Sequence, residues 1–552
     1  MTGVHAAYRT VPEDRAMRYR ERGWWRQELV DRLVLRNADH RPDHPAVIAG
    51  DRVLTHGELA RAVEVAADRL AGMGITPGSP VMVQLPNDLE LVVLVLALLR
   101  LGAPPVLTLP ALREHELTHI LAATEAVAMA VPARLRRFDH LAMARTLRER
   151  SPSLRTLLVA GDDGTRGAGE VDLRRLCDPA PLPEDATPAP ELSAPTSADI
   201  SVLLLSSGTT GPPKSIPRLH EPYGYMLRAA AELAEVTPES VYLAVMPGTH
   251  GFVLGCPGVL GALAAGATVV LGSAEDPRAA LALVARHRVT HCALVPALVA
   301  VWTDHARTGE HDLSSLRVLQ VGGARLHAAA AADAEAVLGT RVQQVYGMSE
   351  GLLNFTLVDD PDEVVHGTQG RPASPDDEIL VVDEDDRPVP PGERGELLTR
   401  GPYTIAGYYR DPDADEHAFT PDGFYRTGDL VRLDLSGNIV VEGRTRDVIN
   451  RGGEKISAEE LEAALVEHPD LRTCAAVAKP HPVLGEIVCL VAVPADGRTV
   501  DLREVRAYLD RLGLARYKLP EELVVLDALP MKGVGKIDKV SLRARVTGST
   551  DC

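Results

Sequence analysis

Short β-prone runs in this chain are repeatedly followed by longer stretches rich in Ala and Leu. Residues 80–85 precede a helical pattern at 89–101, residues 267–271 precede one at 277–287, and residues 290–295 precede one near Trp302. Parallel neighbours in a sheet need a crossover of about a dozen residues, most often a helix. The repeated order of strand, helix and strand therefore predicts an α/β fold, with largely parallel sheets flanked by helices. The longest apolar run, residues 91–99, ends at Arg100. A bilayer crossing needs about 20 residues, so this run is expected to be a buried core helix.

Two shifts in composition mark the organisation. Six prolines lie between Pro179 and Pro195 among acidic and small residues, which suits a solvated connection. Near residue 442 the chain becomes polar and Gly-bearing. A compact pattern then follows: a helix at 457–466, strands at 473–477 and 487–493, and a helix at 502–512. The expected plan is an N-terminal core over 1–442, a hinge at 443–446 and a small α+β C-terminal domain over 447–552.

Charge narrows the function classes. With 58 Lys+Arg against 77 Asp+Glu, the net charge is −19 and no basic cluster offsets it, which speaks against nucleic-acid binding. The N-terminus has no apolar signal region, and the six cysteines lack paired metal-ligand spacing, so a cytoplasmic protein with reduced thiols is expected. Only seven of the 58 basic residues are lysines, and Lys214 alone precedes Lys455. Arginine in place of lysine reflects codon bias. An ammonium kept in such a chain is still a different phosphate ligand, compact where guanidinium is a planar fork.

That lysine closes Leu205-Ser-Ser-Gly-Thr-Thr-Gly-Pro-Pro-Lys-Ser215. An apolar strand leads into hydroxyls and glycines whose N–H groups can surround a phosphate, with one cation to neutralise it. Pro213 stands before the lysine, where a Walker A loop requires Gly. Further on come Val321-Gly-Gly-Ala324, Gln344-Val-Tyr-Gly-Met-Ser-Glu350, Tyr425-Arg-Thr-Gly-Asp429, Gly443-Arg444 and Gly533-Val-Gly-Lys536. Each alone is a weak signal. Their joint order resembles the adenylate-forming superfamily of acyl-CoA synthetases, luciferases and nonribosomal-peptide adenylation domains. The segments 291–296, 312–323, 397–409 and 450–455 are similar to stand-alone aryl-acid adenylating enzymes of siderophore and antibiotic pathways, with 2,3-dihydroxybenzoate–AMP ligases the nearest comparison. The likeness runs from about Trp24 to Arg543.

The resemblance implies the adenylate-forming fold, including a β-barrel-like subdomain and a mobile C-terminal domain. It also implies ATP and Mg²⁺. Ser206, Ser207, Gly208, Thr209, Thr210, Gly211 and Lys214 would cover the β- and γ-phosphates. Gly322, Gly323 and Ala324, with Val345, Tyr346 and Gly347, would hold adenine. Ser349 would stand near the α-phosphate, and Glu350 would offer Mg²⁺ a carboxylate. Asp429 would accept the ribose hydroxyls and Arg444 would add a charged contact. Lys536 would bridge the substrate carboxylate and α-phosphate as the catalytic cation. Arg446 occupies the hinge position, either as a pivot or as a solvated linker residue. Carboxylate adenylation needs positioning and cationic stabilisation more than a base, and no acid/base set stands out in the chain.

The aryl pocket of the pattern falls on His250, Gly251, Phe252, Cys256, Gly323, Ser349 and Leu353. His250 would line the carboxylate end, with a purely structural histidine as the alternative. Gly251 stands where dihydroxybenzoate and salicylate enzymes carry an Asn that meets the ortho-hydroxyl, so an amide is lost and space is expected to open. In compensation, Ser349 and Leu353 stand where dihydroxybenzoate enzymes have Ala and Val, which narrows another wall, and Cys256 replaces Ser. These departures turn the expectation away from 2,3-dihydroxybenzoate and toward a larger or differently substituted ring, such as an aminobenzoate, hydroxypicolinate or quinoline-type acid. The acceptor implied is the phosphopantetheine thiol of a separate carrier protein. Coenzyme A, amide formation or nitrite-dependent activation are the alternatives.

Overall fold

The computed structural model describes residues 7–161, 166–180, 192–206, 213–444, 448–451, 454–481, 484–512, 514, 518–532 and 536–548. The chain divides into two compact units, Met1–Glu378 with Thr399–Tyr425, and Ile379–Leu398 with Arg426–Cys552.

The first unit contains the α/β architecture that the alternation predicts. A seven-stranded sheet runs in the order Ser215–Leu219, Ile200–Leu205, Pro105–Leu107, Val81–Val83, Ala128–Pro132, Thr156–Ala160, Glu170–Asp172. Its strands pair in parallel except for the hairpin of Ile200–Leu205 with Ser215–Leu219. A nine-stranded sheet runs Arg371–Pro372, Leu353–Phe355, Arg341–Gly347, Val318–Gly322, His291–Leu294, Val241–Ala244, Thr268–Leu271, Pro45–Ala49, Arg52–Thr55. It is parallel through its centre and antiparallel at both edges.

The apolar run at 91–99 lies inside the helix Leu89–Leu101, in which every residue except Arg100 is buried. Asp88 caps its start by accepting the Leu89 N–H at 2.8 Å, and Gly102 ends it at φ +76°. Each leucine buried there contributes roughly 1.5–3 kcal/mol. Arg100 reaches Glu64 at 3.3 Å and Asp31 at 3.5 Å, so its stem stays apolar while its head is paired. Among the described residues no helix is long and apolar enough to cross a membrane, and the five described cysteines are free thiols.

A four-stranded sheet, Glu378–Val382, Gly395–Arg400, Tyr425–Leu433 and Ile439–Arg444, falls largely in the second unit. The second unit also holds a five-stranded sheet centred on Leu471–His481 and Gly485–Pro494. Side chains of these two strands alternate between two apolar clusters. Ala476, Val488, Leu490 and Ala492 enter one, and Ala475, Val477, Cys489 and Val491 enter the other. A sheet covered on both faces explains why the strands read as continuous apolar runs. The boundary expected at 442 falls within this unit, inside the strand Ile439–Arg444.

Candidate active site

The hairpin that carries the hydroxyl- and glycine-rich motif is pinned at its ends. Ser206 N–H donates to the Lys214 carbonyl at 3.0 Å, and Lys214 N–H donates to Ser206 Oγ at 2.9 Å. Ser207, Gly208, Thr209, Thr210 and Gly211 lie outside the described residues. Lys214 Nζ sits 4.9 Å from the ring centroid of Tyr408, a cation–π contact.

Tyr408 connects this lysine to Glu350. Its hydroxyl donates to Glu350 Oε1 at 3.1 Å and lies 3.2 Å from the Tyr425 hydroxyl. Burial, then the charge of Glu350, pushes both phenols well above their ordinary value, so they remain hydrogen-bond donors. The Tyr408 backbone is also fixed. Its N–H donates to Asp415 Oδ1 at 2.7 Å, and Asp415 is paired with Arg9 at 3.3 Å. The neighbouring Tyr409 N–H donates to the Ser215 carbonyl at 2.9 Å. A Cβ on Gly407 would stand 2.6 Å from Asp415 Oδ2, so only glycine fits this approach.

Glu350 is itself buried and held by its own backbone. Its carbonyl accepts from Ile405 N–H at 2.8 Å, and the turn around it closes with Gly351 N–H on the Met348 carbonyl at 3.1 Å. The preceding carbonyl, that of Ser349, accepts from Arg218 Nη1 at 2.9 Å. Arg218 is only 2% exposed. Its guanidinium lies 5.4 Å from the Tyr223 ring centroid, and its Nη2 approaches Met226 Sδ at 3.3 Å. Burial lowers its pKa to about 10, which leaves it cationic at neutral pH. Among the described residues no carboxylate lies within ion-pairing distance of Arg218, and no cationic side chain lies within that distance of Glu350. Sequence reasoning missed Arg218 and gave Tyr408 and Tyr425 no role. An arginine within the apolar strand Ser215–Leu219 was the available signal.

The residues expected around adenine meet at the carboxyl ends of two parallel strands, where open α/β sheets bind ligands. Gly322 ends one strand opposite Val345 of the next. A Cβ on Gly322 would lie 3.0 Å from both Phe252 Cζ and the Val345 carbonyl, and one on Gly347 would lie 2.8 Å from the Leu352 carbonyl. Gly323 takes φ +79°, and Ala324 beyond it is exposed. Tyr346, half-buried, accepts at its carbonyl from Asn354 Nδ2 at 3.3 Å. Leu353 is buried and pairs with Gly347 across the antiparallel edge.

The aryl-pocket residues give one correction. A Cβ on Gly251 would stand 3.1 Å from Ser349 Oγ and 3.3 Å from Leu204 Cδ1. The space expected to open beside Gly251 is therefore narrowed from the opposite wall, with the Ser349 hydroxyl nearest. Phe252 packs its ring edge against Gly322, joining this wall to the strand end. Cys256 is buried, and desolvation pushes its thiol well above the usual range, so it presents a neutral, weakly polar surface. His250 is exposed at the start of the helix Gly251–Gly255 and accepts the Phe252 N–H on Nδ1 at 3.3 Å.

In the second unit, Asp429 is buried and its N–H donates to Thr427 Oγ1 at 3.0 Å. The Thr427 hydroxyl donates in turn to the Leu397 carbonyl at 2.7 Å. Asp429 faces Arg444 in the strand register, where only the backbone of Arg444 is described. Lys536 is exposed on a two-stranded ribbon, directly opposite Lys532. Arg446 lies outside the described residues.

A family model described as AMP-binding enzyme matches residues 34–409, and one described as AMP-binding enzyme C-terminal domain matches 460–536. A Streptomyces protein named salicylyl-CoA synthase / salicylate adenylyltransferase is 51% identical, over 98% of each chain. A salicyl-AMP ligase / salicyl-S-ArCP synthetase of Mycobacterium tuberculosis is 45% identical, over 96% of this chain and 92% of its own. The apo structure of Mycobacterium smegmatis MbtA matches with a TM-score of 0.75 at 44% identity, covering 99% of this chain and 100% of that one. The motif order, the strand-end glycines and these likenesses agree: the chain belongs to the AMP-binding enzyme family, within the adenylate-forming superfamily.

Proposed function

We propose that this enzyme activates a 2-hydroxyaryl carboxylic acid of the salicylate type with ATP. A carboxylate oxygen attacks the α-phosphorus, the bond to the β-phosphate breaks, and aryl-AMP and pyrophosphate result. A thiol then attacks the acyl carbon and AMP leaves. The observation that carries the choice of acid is the Ser349 hydroxyl standing close beside Gly251. A hydroxyl there both donates and accepts, so an ortho-hydroxyl keeps a partner although the amide is gone. The salicylate names of the two relatives support the same class.

In this reading Lys214 neutralises the outer phosphates, Ser206 supports the loop that covers them, and the glycines at 322, 323 and 347 leave room for the adenine. Asp429 and Arg444 contact the ribose, and Lys536 stabilises the charge that develops between the carboxylate and the α-phosphate. His250, a helix cap, orients the Gly251 wall. Mg²⁺ suits Glu350, a buried hard-oxygen donor with hydroxyl neighbours and no cationic side chain on it among the described residues. When bound, the ion would offset phosphate charge.

The acceptor is the phosphopantetheine thiol of a separate aryl carrier protein, the assignment that the Mycobacterium tuberculosis relative's name supports. Coenzyme A is the second reading, favoured by the Streptomyces relative's name. Pyrophosphate exchange with salicylate, benzoate, 2,3-dihydroxybenzoate and anthranilate tests the acid. Salicylate should exceed benzoate at least about tenfold in kcat/KM, the scale of a lost buried hydrogen bond. Equal values would remove the ortho-hydroxyl from the proposal. Offering holo-carrier and coenzyme A side by side decides the thiol.

A further inference from the structure

Three buried carboxylates in the first unit meet arginines at close range: Glu90 meets Arg52 at 2.6 Å, Glu221 meets Arg20 at 2.8 Å and Asp415 meets Arg9 at 3.3 Å. Arg218 breaks that pattern. It is more deeply buried than any of those arginines, no carboxylate pairs with it among the described residues, and its Nε has no hydrogen-bond partner. An isolated buried charge is unfavourable, and an apolar residue would suit this strand better. Stability alone therefore does not account for a guanidinium at this place.

Its one hydrogen bond to oxygen shows what it holds. Nη1 meets the Ser349 carbonyl at 2.9 Å, and that carbonyl belongs to the peptide group joining Ser349 to Glu350. On one side of the peptide, Ser349 Oγ packs toward Gly251; on the other, the Glu350 carboxylate accepts from Tyr408. Arg218 also lies on the strand that leaves Lys214, so a single side chain ties the exit of the phosphate loop to the turn bearing Ser349 and Glu350.

We propose that Arg218 is a positioning residue for adenylation: its planar fork fixes the Ser349–Glu350 peptide, and its charge balances that of Glu350 inside the protein. The inference rests on the reading of Ser349 as acid-facing and Glu350 as nucleotide-facing. The residue acts through others and need not touch substrate.

The test compares Arg218→Met, Arg218→Lys, Glu350→Gln and the double variant Arg218→Met/Glu350→Gln. Three quantities are read: kcat and KM in pyrophosphate exchange, the thermal midpoint, and the midpoint shift produced by salicyl-sulfamoyl-adenosine, a stable aryl-AMP mimic. Arg218→Met should lower kcat about a hundredfold, the scale of a displacement near 1 Å, with KM for ATP changed less than about threefold. Its unliganded midpoint should stay close to the parent's while the mimic-induced shift shrinks. Arg218→Lys, which keeps the charge without the fork, should recover part of both losses. The double variant should be no worse than the poorer single variant.

Additive losses in the double variant would overturn the proposal. So would an Arg218→Met enzyme whose kcat and mimic shift match the parent's. If Arg218→Met does not fold, Arg218→Lys carries the test, and a parent-like kcat there overturns it. An unimpaired Glu350→Gln enzyme would instead remove the reading of Glu350. Impairment in Glu350→Gln but not in Arg218→Met removes the Arg218 proposal alone.

Discussion

The two lysines singled out by the motifs stand in opposite surroundings. Lys214 is held by Ser206, whose N–H donates to its carbonyl and whose Oγ accepts from its N–H, and it lies over a Tyr408 ring that is hydrogen-bonded and buried. Lys536 is exposed on a ribbon strand of two residues, facing another lysine. The first unit thus fixes its electrostatics in advance, with dipoles and charges already oriented by packing. The ribbon offers a charge on an element with little burial, the kind drawn from the low-stability end of a structure. A fixed charge serves binding throughout the cycle, whereas an exposed one can serve a single step.

The largest expected effect tests that division. Lys536→Ala should reduce pyrophosphate exchange about a thousandfold, as losing one transition-state cation does, while transfer from preformed aryl-AMP to the thiol stays within about threefold. Equal losses in both half-reactions would break the comparison, because Lys536 would then act on more than one step. Lys214→Ala should be milder. A fixed phosphate contact made in ground state and transition state alike raises KM for ATP, here by about tenfold, with a smaller fall in kcat. A kcat loss as deep as that of Lys536→Ala would show that the pre-set cation acts in the transition state as well.

Tyr408→Phe isolates the link between Lys214 and Glu350. It removes the hydroxyl 3.1 Å from Glu350 Oε1 and keeps the ring beneath the ammonium. A hydrogen bond to a charged group contributes about 1.5 kcal/mol or more, so exchange should fall roughly tenfold. Tyr408→Leu removes the ring as well and should add a rise in KM for ATP. If the two variants behave alike, the ring contact with Lys214 does nothing and the first unit is less tightly pre-set than its geometry implies.

What the sequence conveyed and what it withheld follow the same physics. Periodicity is local, so the helix Leu89–Leu101 and the strand Ile200–Leu205 were legible. The strand expected at 473–477 extends over Leu471–His481, because pairing with Gly485–Pro494 continues through polar residues that show no apolar signal. Contacts across long separations were not legible. Arg218 meets Ser349 over 131 residues, and the packing of Ser349 against Gly251 depends on where the helix Gly251–Gly255 lies against a turn far along the chain. Identity alone suggested that a missing Asn leaves a hole. Residue type marks Ser349 as narrowing a wall, but only the folded chain shows that this wall faces Gly251.

The smallest expected effect on activity comes with a change in stability, which separates a buried carboxyl from an exposed ribbon by pH. Asp377 is enclosed near the Tyr225–Tyr403 pair and accepts from the Tyr403 hydroxyl and from Ser374 N–H at 3.2 Å, while its Oδ1 has no partner among the described residues. Burial pushes its carboxyl up to about 7, overriding the two donors that favour the anion. The unfolded chain holds the same group near about 3.9. The folded state therefore binds the proton more tightly. The resulting stabilisation is complete below about pH 4 and is lost as pH rises through about 7. The ceiling is about 4 kcal/mol, since each pKa unit corresponds to 1.36 kcal/mol. Asp377→Asn should abolish this slope: measured as urea-unfolding free energy from pH 4 to 8, the variant should gain on the parent as pH rises, with exchange activity nearly unchanged. Lys532→Gln on the ribbon should show the parent's slope. A parent-like slope in Asp377→Asn would mean that the Tyr403 and Ser374 donors cancel the effect of burial, leaving Asp377 with the same pKa folded and unfolded.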